Sequence, residues 1–217
     1  MGIAFFDFDK TLIRKNSGGL WLVDELRRGA IGWFDFARAG VWLARYSVGF
    51  VDLEAGLRLA IRSLEGTRED DLRQRVEDFY AARVKHLYRP GGTAALQRHR
   101  ENGDRIVLLT SASNYLSQIV QRELALDGFL ANRFSVGADG VFTGEPDGEL
   151  CYGPGKLWHA NAYAEEHGVA LADCAFYTDS MADLPVLEAV GVPVAVNPDP
   201  RLRRHALGRG WSVEDWG

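Results

Sequence analysis

Asp7 and Asp9 stand one residue apart at the end of an apolar run, Ile3-Ala4-Phe5-Phe6. Two carboxylates beside a buried strand resist joint ionisation, and burial adds to the cost. Such a pair implies a cation or a proton-transfer task. Other polar residues fall at comparable places. Thr110 and Ser111 follow Ile106-Val-Leu-Leu109, and Asp179 follows Ala175-Phe-Tyr-Thr178, with Asp183 four residues on. Lys156 comes just after Gly153-Pro-Gly155. The carboxylates Asp7, Asp9, Asp179 and Asp183 make an oxygen-rich set for a hard cation, Mg²⁺. Lys156, the Thr110 hydroxyl and backbone N–H groups after Asp7 and Thr110 would hold a tetrahedral anion. A metal and a lysine around one anion is the equipment of phosphoryl transfer. In that chemistry Asp7 attacks phosphorus, while Asp9 protonates the leaving oxygen and then takes a proton from water.

These residues need elements that bring them together. Ile3–Phe8, Arg105–Thr110, Ala175–Thr178 and Val192–Val196 read as short strands, apolar throughout. Helical patterns lie between them: Gly91–Asn102, Asn114–Leu126, Gly155–His167 and Ala182–Ala189. This alternation predicts an α/β fold whose parallel sheet is covered on both faces. In such sheets ligands sit beyond the carboxyl ends of the strands, where these polar residues fall. Between the first two strands the chain is far longer than a crossover requires. The excess reads as helical: Gly19–Arg28, Gly32–Tyr46, Asp52–Leu64 and Arg68–Leu87. The expected organisation is therefore a core of residues 1–14 and 89–217 with an inserted helical cap of residues 15–88. Residues 133–152, with Gly137-Ala-Asp-Gly140 and Gly144-Glu-Pro-Asp-Gly148, read as a β-hairpin on the core.

Composition excludes several classes. The chain has 217 residues and a formal net charge of −5, which is against a nucleic-acid partner. The most apolar stretch, residues 30–50, is broken by Asp35, Arg38 and Arg45, so no integral membrane span is expected. The first residues lack the basic n-region of a signal peptide. Cys151 and Cys174 have no metal-type spacing, and a reduced, cytoplasmic chain is the expectation. The pattern leaves the oligomeric state open.

Asp7-Phe-Asp-Lys-Thr-Leu12 resembles the first motif of the haloacid dehalogenase superfamily, Asp-x-Asp-x-Thr. Leu108-Leu-Thr-Ser111, Lys156 and Tyr177-Thr-Asp-Ser-Met-Ala-Asp183 are similar to its other three motifs, in order. The helical insertion resembles the C1 cap of the phosphoserine-phosphatase-like branch, subfamily IB. The resemblance implies a Rossmann-like core, Mg²⁺ and an aspartyl-phosphate intermediate. It implies Asp7 as nucleophile, Asp9 as acid and base, and Asp179 as a metal ligand with Asp183 in or beside the metal site. It implies Thr110 and Ser111 as phosphate binders and Lys156 as a bridge between Asp7 and phosphate. Asn16 and Ser17 stand where phosphoserine phosphatases carry an amine-reading glutamate, and Ala182 stands where they carry Asn.

The resulting expectation is a phosphomonoesterase for a small phosphorylated substrate: histidinol phosphate, phosphoserine or another phospho-alcohol. The competing expectations are a phosphate-binding or sensing module without turnover, and a phosphatase for lysophospholipid-type phosphates. Reading Asp9-Lys10-Thr11 as an ion-pump phosphorylation motif fails, because Leu12-Ile13 follows instead of Gly-Thr. Trp21, Trp33, Phe34, Trp42 and Tyr46 are expected to form the interior of the cap. Arg58 and Arg62 are expected on a solvated face, and the five histidines have no assigned role.

Overall fold

The apolar run at Ile3–Phe6 forms β1, buried along its whole length. This computed structural model of the protein describes residues 2–29, 32 and 53–217. Most of the expected helix Gly32–Tyr46, the start of the helix expected at Asp52–Leu64, and Trp33, Phe34, Trp42 and Tyr46 lie outside the described residues. After β1 come α1 (Ser17–Arg27), α2 (Leu53–Arg62), α3 (Glu69–Phe79) and α4 (Pro90–Glu101). Next are β2 (Arg105–Ser113), α5 (Asn114–Leu124), β3 (Gly128–Asn132), β4 (Phe134–Val136) and β5 (Phe142–Pro146). The chain ends with α6 (Pro154–Glu166), β6 (Ala175–Thr178), α7 (Leu184–Ala189), β7 (Val192–Val196), α8 (Pro200–Arg209) and β8 (Ser212–Glu214).

Six strands form one sheet in the order β3-β2-β1-β6-β7-β8, every pair parallel. The α/β fold with a parallel sheet is as expected. Its two faces sort by the period-two alternation of strand side chains. Ala4 and Phe6 pack with Ile106, Leu108 and Val196 against Leu96 and Val120. Ile3 and Phe5 pack with Val107, Leu109 and Ala195 against Ala160, Leu187 and Leu202.

Several boundaries differ from expectation. The first strand stops at Phe6, because residues Phe8–Leu12 fold back in one wide turn with Lys10 at φ 59°. The second strand runs on to Ser113, where the Ser113 side chain caps α5 by accepting from Leu116 N–H. The edge strands β3 and β8 are additional. The stretch Arg68–Leu87 is two pieces, α3 and a wider turn at Tyr80–Val84.

The chain leaves and re-enters the sheet layer side by side. Ile13 bridges Tyr88, Arg14 N–H donates to Leu87 O, and Arg89 N–H donates to Leu12 O. The hairpin of β4 and β5 forms as expected and also reaches the insertion. Phe142 N–H donates to Thr67 O, Gly66 N–H donates to Phe142 O, and Arg68 bridges Val141. Among the described residues no helix is long and apolar enough to cross a membrane.

Candidate active site

The sheet order reverses direction between β1 and β6: β2 and β3 extend one way, β7 and β8 the other. A crevice opens beyond the strand ends at such a switch point. Asp7 and Asp179 are the first residues past the carboxyl ends of those two strands. Asp7 N–H donates to Tyr177 O, which continues the pairing by one residue. Thr110 ends up on the same edge, because Phe6 pairs with Leu108 in the adjoining strand.

Lys156 joins the array from the first turn of α6. Its Nζ lies 2.8 Å from Asp7 Oδ1 and 2.8 Å from Asp183 Oδ2. All three side chains are buried. The turn before Lys156 requires glycine. Gly153 has φ 50°, and a Cβ on Gly155 would lie 2.0 Å from Leu150 O. Asp183 is held from the other side, where Thr178 Oγ1 donates to its Oδ2 at 2.6 Å. Thr11 Oγ1 donates to Asp7 Oδ2 at 3.4 Å and accepts from Asp179 N–H at 3.0 Å. One hydroxyl thus ties the loop after β1 to the loop after β6.

Asp9 is held by the start of α1. Its Oδ1 accepts from Ser17 N–H at 2.7 Å. Its Oδ2 accepts from Ser17 Oγ at 3.0 Å and Asn16 Nδ2 at 3.4 Å. The carboxylate therefore lies at the N-terminus of α1, where exposed N–H groups favour an anion. Lys10 is exposed, unlike its two acidic and hydroxyl neighbours Asp7 and Thr11.

The expected phosphate binders are present but engaged within the protein. Thr110 is buried, and its Oγ1 accepts from Ala112 N–H at 3.1 Å. Ser111 Oγ donates to Cys151 O at 2.9 Å. Asn132, which no motif marks, brackets this turn by donating to Ser111 O at 2.6 Å and accepting from Cys151 N–H at 2.8 Å. Asp199 also supports the site without any local spacing to mark it. It accepts from Met181 N–H at 2.7 Å while capping α8 through Arg201 and Leu202 N–H, which braces the loop carrying Asp179. Among the histidines, His99 bridges Asp104 and the Tyr177 hydroxyl, both at 2.9 Å. Arg58 pairs with Glu54 on an exposed helix face, as expected.

Charge is unbalanced here. Asp7, Asp179 and Asp183 are buried around the single buried lysine, Lys156. Burial pushes the Asp7 carboxyl up to about 7 against the pull of Lys156. Burial and the Asp7 charge raise Asp179 well above its ordinary range. Burial also raises Asp9, which the Ser17 N–H and hydroxyl oppose. For Lys156, burial favours the neutral amine, but Asp183 and Asp7 outweigh it and keep the ammonium. Surplus buried negative charge on hard oxygen donors suits Mg²⁺, which takes one or two carboxylates and completes its shell with other oxygens. Among the described residues no three His, Cys, Asp or Glu side chains cluster to enclose a metal unaided. Asp7 and Asp179 would offer two such carboxylates, and backbone oxygen and water would have to complete the shell.

Known proteins resemble this chain in sequence and in fold. A family model described as haloacid dehalogenase-like hydrolase matches residues 4–188. The phosphoserine phosphatase SerB1 of Mycobacterium tuberculosis is 33% identical over 219 residues, across 98% of this chain and 70% of its own length. A histidinol-phosphatase of Neisseria meningitidis is 28% identical over 215 residues, across 97% of each chain. A crystal structure of a protein of unknown function from Bordetella pertussis superposes with a TM-score of 0.89 at 28% identity, covering 99% of this chain and 98% of that one.

Proposed function

The chain belongs to the haloacid dehalogenase-like hydrolases, and from that premise we propose that it is a Mg²⁺-dependent phosphomonoesterase acting on a small phospho-alcohol through an aspartyl-phosphate on Asp7. The observation that carries this reading is the buried lysine shared by Asp7 and Asp183, beside Asp179, at the switch point of the sheet.

Lys156 uses two of its three ammonium donors on carboxylates and keeps the third for a phosphoryl oxygen. Thr110 and the Ser111 N–H bind the same group from β2. One Asp7 oxygen forms the bond to phosphorus as the ester P–O bond breaks. The leaving oxygen takes its proton from Asp9, whose raised carboxyl suits it to carry one. Asp9, now a carboxylate, removes a proton from water. The water oxygen then bonds to phosphorus, and the P–O bond to Asp7 breaks, releasing phosphate. Asp7, Asp179 and the Asp9 carbonyl would hold Mg²⁺, with Asp183 beside it, and the ion would supply charge that keeps these carboxylates ionised and neutralises the phosphoryl oxygens. The helical cap, which we assign to residues 15–88, excludes water.

The relatives named for phosphoserine and histidinol phosphate set the first substrates to try. Two free, buried cysteines support a reducing compartment such as the cytoplasm. The test is hydrolysis of p-nitrophenyl phosphate, phosphoserine and histidinol phosphate with Mg²⁺, beside an Asp7→Asn control. Turnover that depends on Asp7 and Mg²⁺ is expected. No turnover above the control on any ester would leave a phosphate-binding module instead.

A further inference from the structure

We propose that Ser17, with Asn16, is a positioning residue that aims the Asp9 carboxyl group, so the first turn of α1 sets the efficiency of leaving-group protonation. This rests on the assignment of Asp9 as proton donor in the phosphomonoesterase reading.

The two oxygens of Asp9 meet different partners. Oδ1 accepts from a backbone N–H, the Ser17 amide at 2.7 Å. That group only donates, so Oδ1 stays an acceptor and the acidic proton belongs on Oδ2. Oδ2 lies 3.0 Å from Ser17 Oγ and 3.4 Å from Asn16 Nδ2. Ser17 Oγ donates to Oδ2, which keeps acceptor capacity when protonated, so the bond persists whether Asp9 is an acid or a carboxylate and the acid hydrogen stays free for the leaving oxygen. Ser17 is buried, which keeps water from replacing its hydroxyl. Asn16 has a second duty, accepting from Gly19 N–H at 2.8 Å as the cap of α1. Its amide is therefore fixed in place beside Oδ2. These two positions look like departures from the phosphoserine-phosphatase pattern, and the structure gives them this other use.

The readout is leaving-group dependence. p-Nitrophenolate departs with little protonation, whereas the more basic phenolate of phenyl phosphate needs the acid. Because kcat/KM reads the step that expels the leaving group, it is measured for both esters with Mg²⁺. General acid–base catalysis contributes on the order of 10²–10⁴-fold, and misaiming the acid forfeits part of it. Ser17→Ala should lower kcat/KM for phenyl phosphate by roughly tenfold or more, while p-nitrophenyl phosphate changes by less than about threefold. Ser17→Thr, which keeps the hydroxyl, should restore the wild-type ratio. Asp9→Asn should show the same selectivity, more strongly. Equal losses on both esters in Ser17→Ala, or an unchanged ratio, would overturn the positioning role. If Asp9→Asn itself shows no selectivity, the acid assignment falls and takes the positioning role with it. Wild-type activity no higher than Asp7→Asn would instead remove the phosphomonoesterase reading, which separates the two failures.

Discussion

Replacing Lys156 by Met removes one charge and keeps an unbranched stem of similar length. The ammonium sits 2.8 Å from oxygens of both Asp7 and Asp183. Unit charges at that separation attract by about 6 kcal/mol per pair at an effective dielectric of 20. Burying the ammonium costs several kcal/mol of hydration, which offsets much of that gain. The variant loses the attraction and leaves two buried carboxylates facing each other within twice the ion-pair distance. Breaking a buried pair from one side costs about 3–5 kcal/mol, and that loss is expected here.

The assay is urea unfolding followed by circular dichroism, in chelator so that no divalent cation replaces the lost charge. The double variant Lys156→Met/Asp183→Asn removes one of the facing charges. Thr178 Oγ1 can still donate to the new amide oxygen. The double variant should recover about 1–3 kcal/mol relative to the single one. A single variant within about 1 kcal/mol of wild type would refute the reasoning, since the lysine would then not be what makes the carboxylates tolerable. A double variant no more stable than the single one would refute the charge explanation and leave only packing.

Stability of the metal-free protein should rise as pH falls from 7 towards 5. Asp7 has its carboxyl pushed up to about 7 by burial, so the folded state binds protons that the unfolded chain, near 3.9, does not. Asp9 and Asp179 are raised as well and act with the same sign. Denaturation midpoints in chelator across that range check the slope, and a flat profile would contradict it. Gly155→Ala should destabilise by more than about 2 kcal/mol and lower activity, because its Cβ would meet Leu150 O at 2.0 Å on the turn that presents Lys156. Gly208→Ala in α8 meets nothing within 4 Å and should stabilise by about 0.5–1 kcal/mol. Equal thermal shifts for the two variants would show that close approach is not the cause.

What sequence patterns reveal here follows from burial. The central strands are buried on both faces, so they read as unbroken apolar runs, and the polar residue ending each run is conspicuous. The edge strands β3 and β8 carry no such contrast. β8 is three residues, Ser212-Val213-Glu214, the first exposed and the other two half-buried. β3 begins at a glycine and ends at Asn132, an unremarkable residue in sequence that proves to be a buried bracket. Asn16 and Ser17 were visible only as mismatches. Their contact with Asp9 needs the reversal at Lys10, whose left-handed backbone no pattern of apolar residues signals. Thr11 and Asp199 accept from backbone N–H groups of other loops, and such pairings leave no mark on local spacing.

The two threonines also determine where protons lie in the site without any hydrogen being seen. Thr11 Oγ1 accepts from Asp179 N–H, and Thr178 Oγ1 accepts from Ser180 N–H. A backbone N–H can only donate, so each hydroxyl must aim its single hydrogen elsewhere. The available acceptors are Asp7 Oδ2 for Thr11 and Asp183 Oδ2 for Thr178. Lys156 donates to Asp7 Oδ1 and to Asp183 Oδ2. Both oxygens of Asp7 are therefore met by donors, which favours its ionised form against the burial that opposes it. The same bonds rank its oxygens. Oδ1 is held at 2.8 Å by a full positive charge, and Oδ2 at 3.4 Å by a neutral hydroxyl. Hydrogen bonding to a cation withdraws more electron density than a long bond to a neutral donor. Oδ2 is thus the less encumbered oxygen, and it lies against Thr11, the hydroxyl that also holds the Asp179 loop. In the proposed mechanism the attacking oxygen is therefore steered by the residue that joins the two halves of the sheet at their switch point.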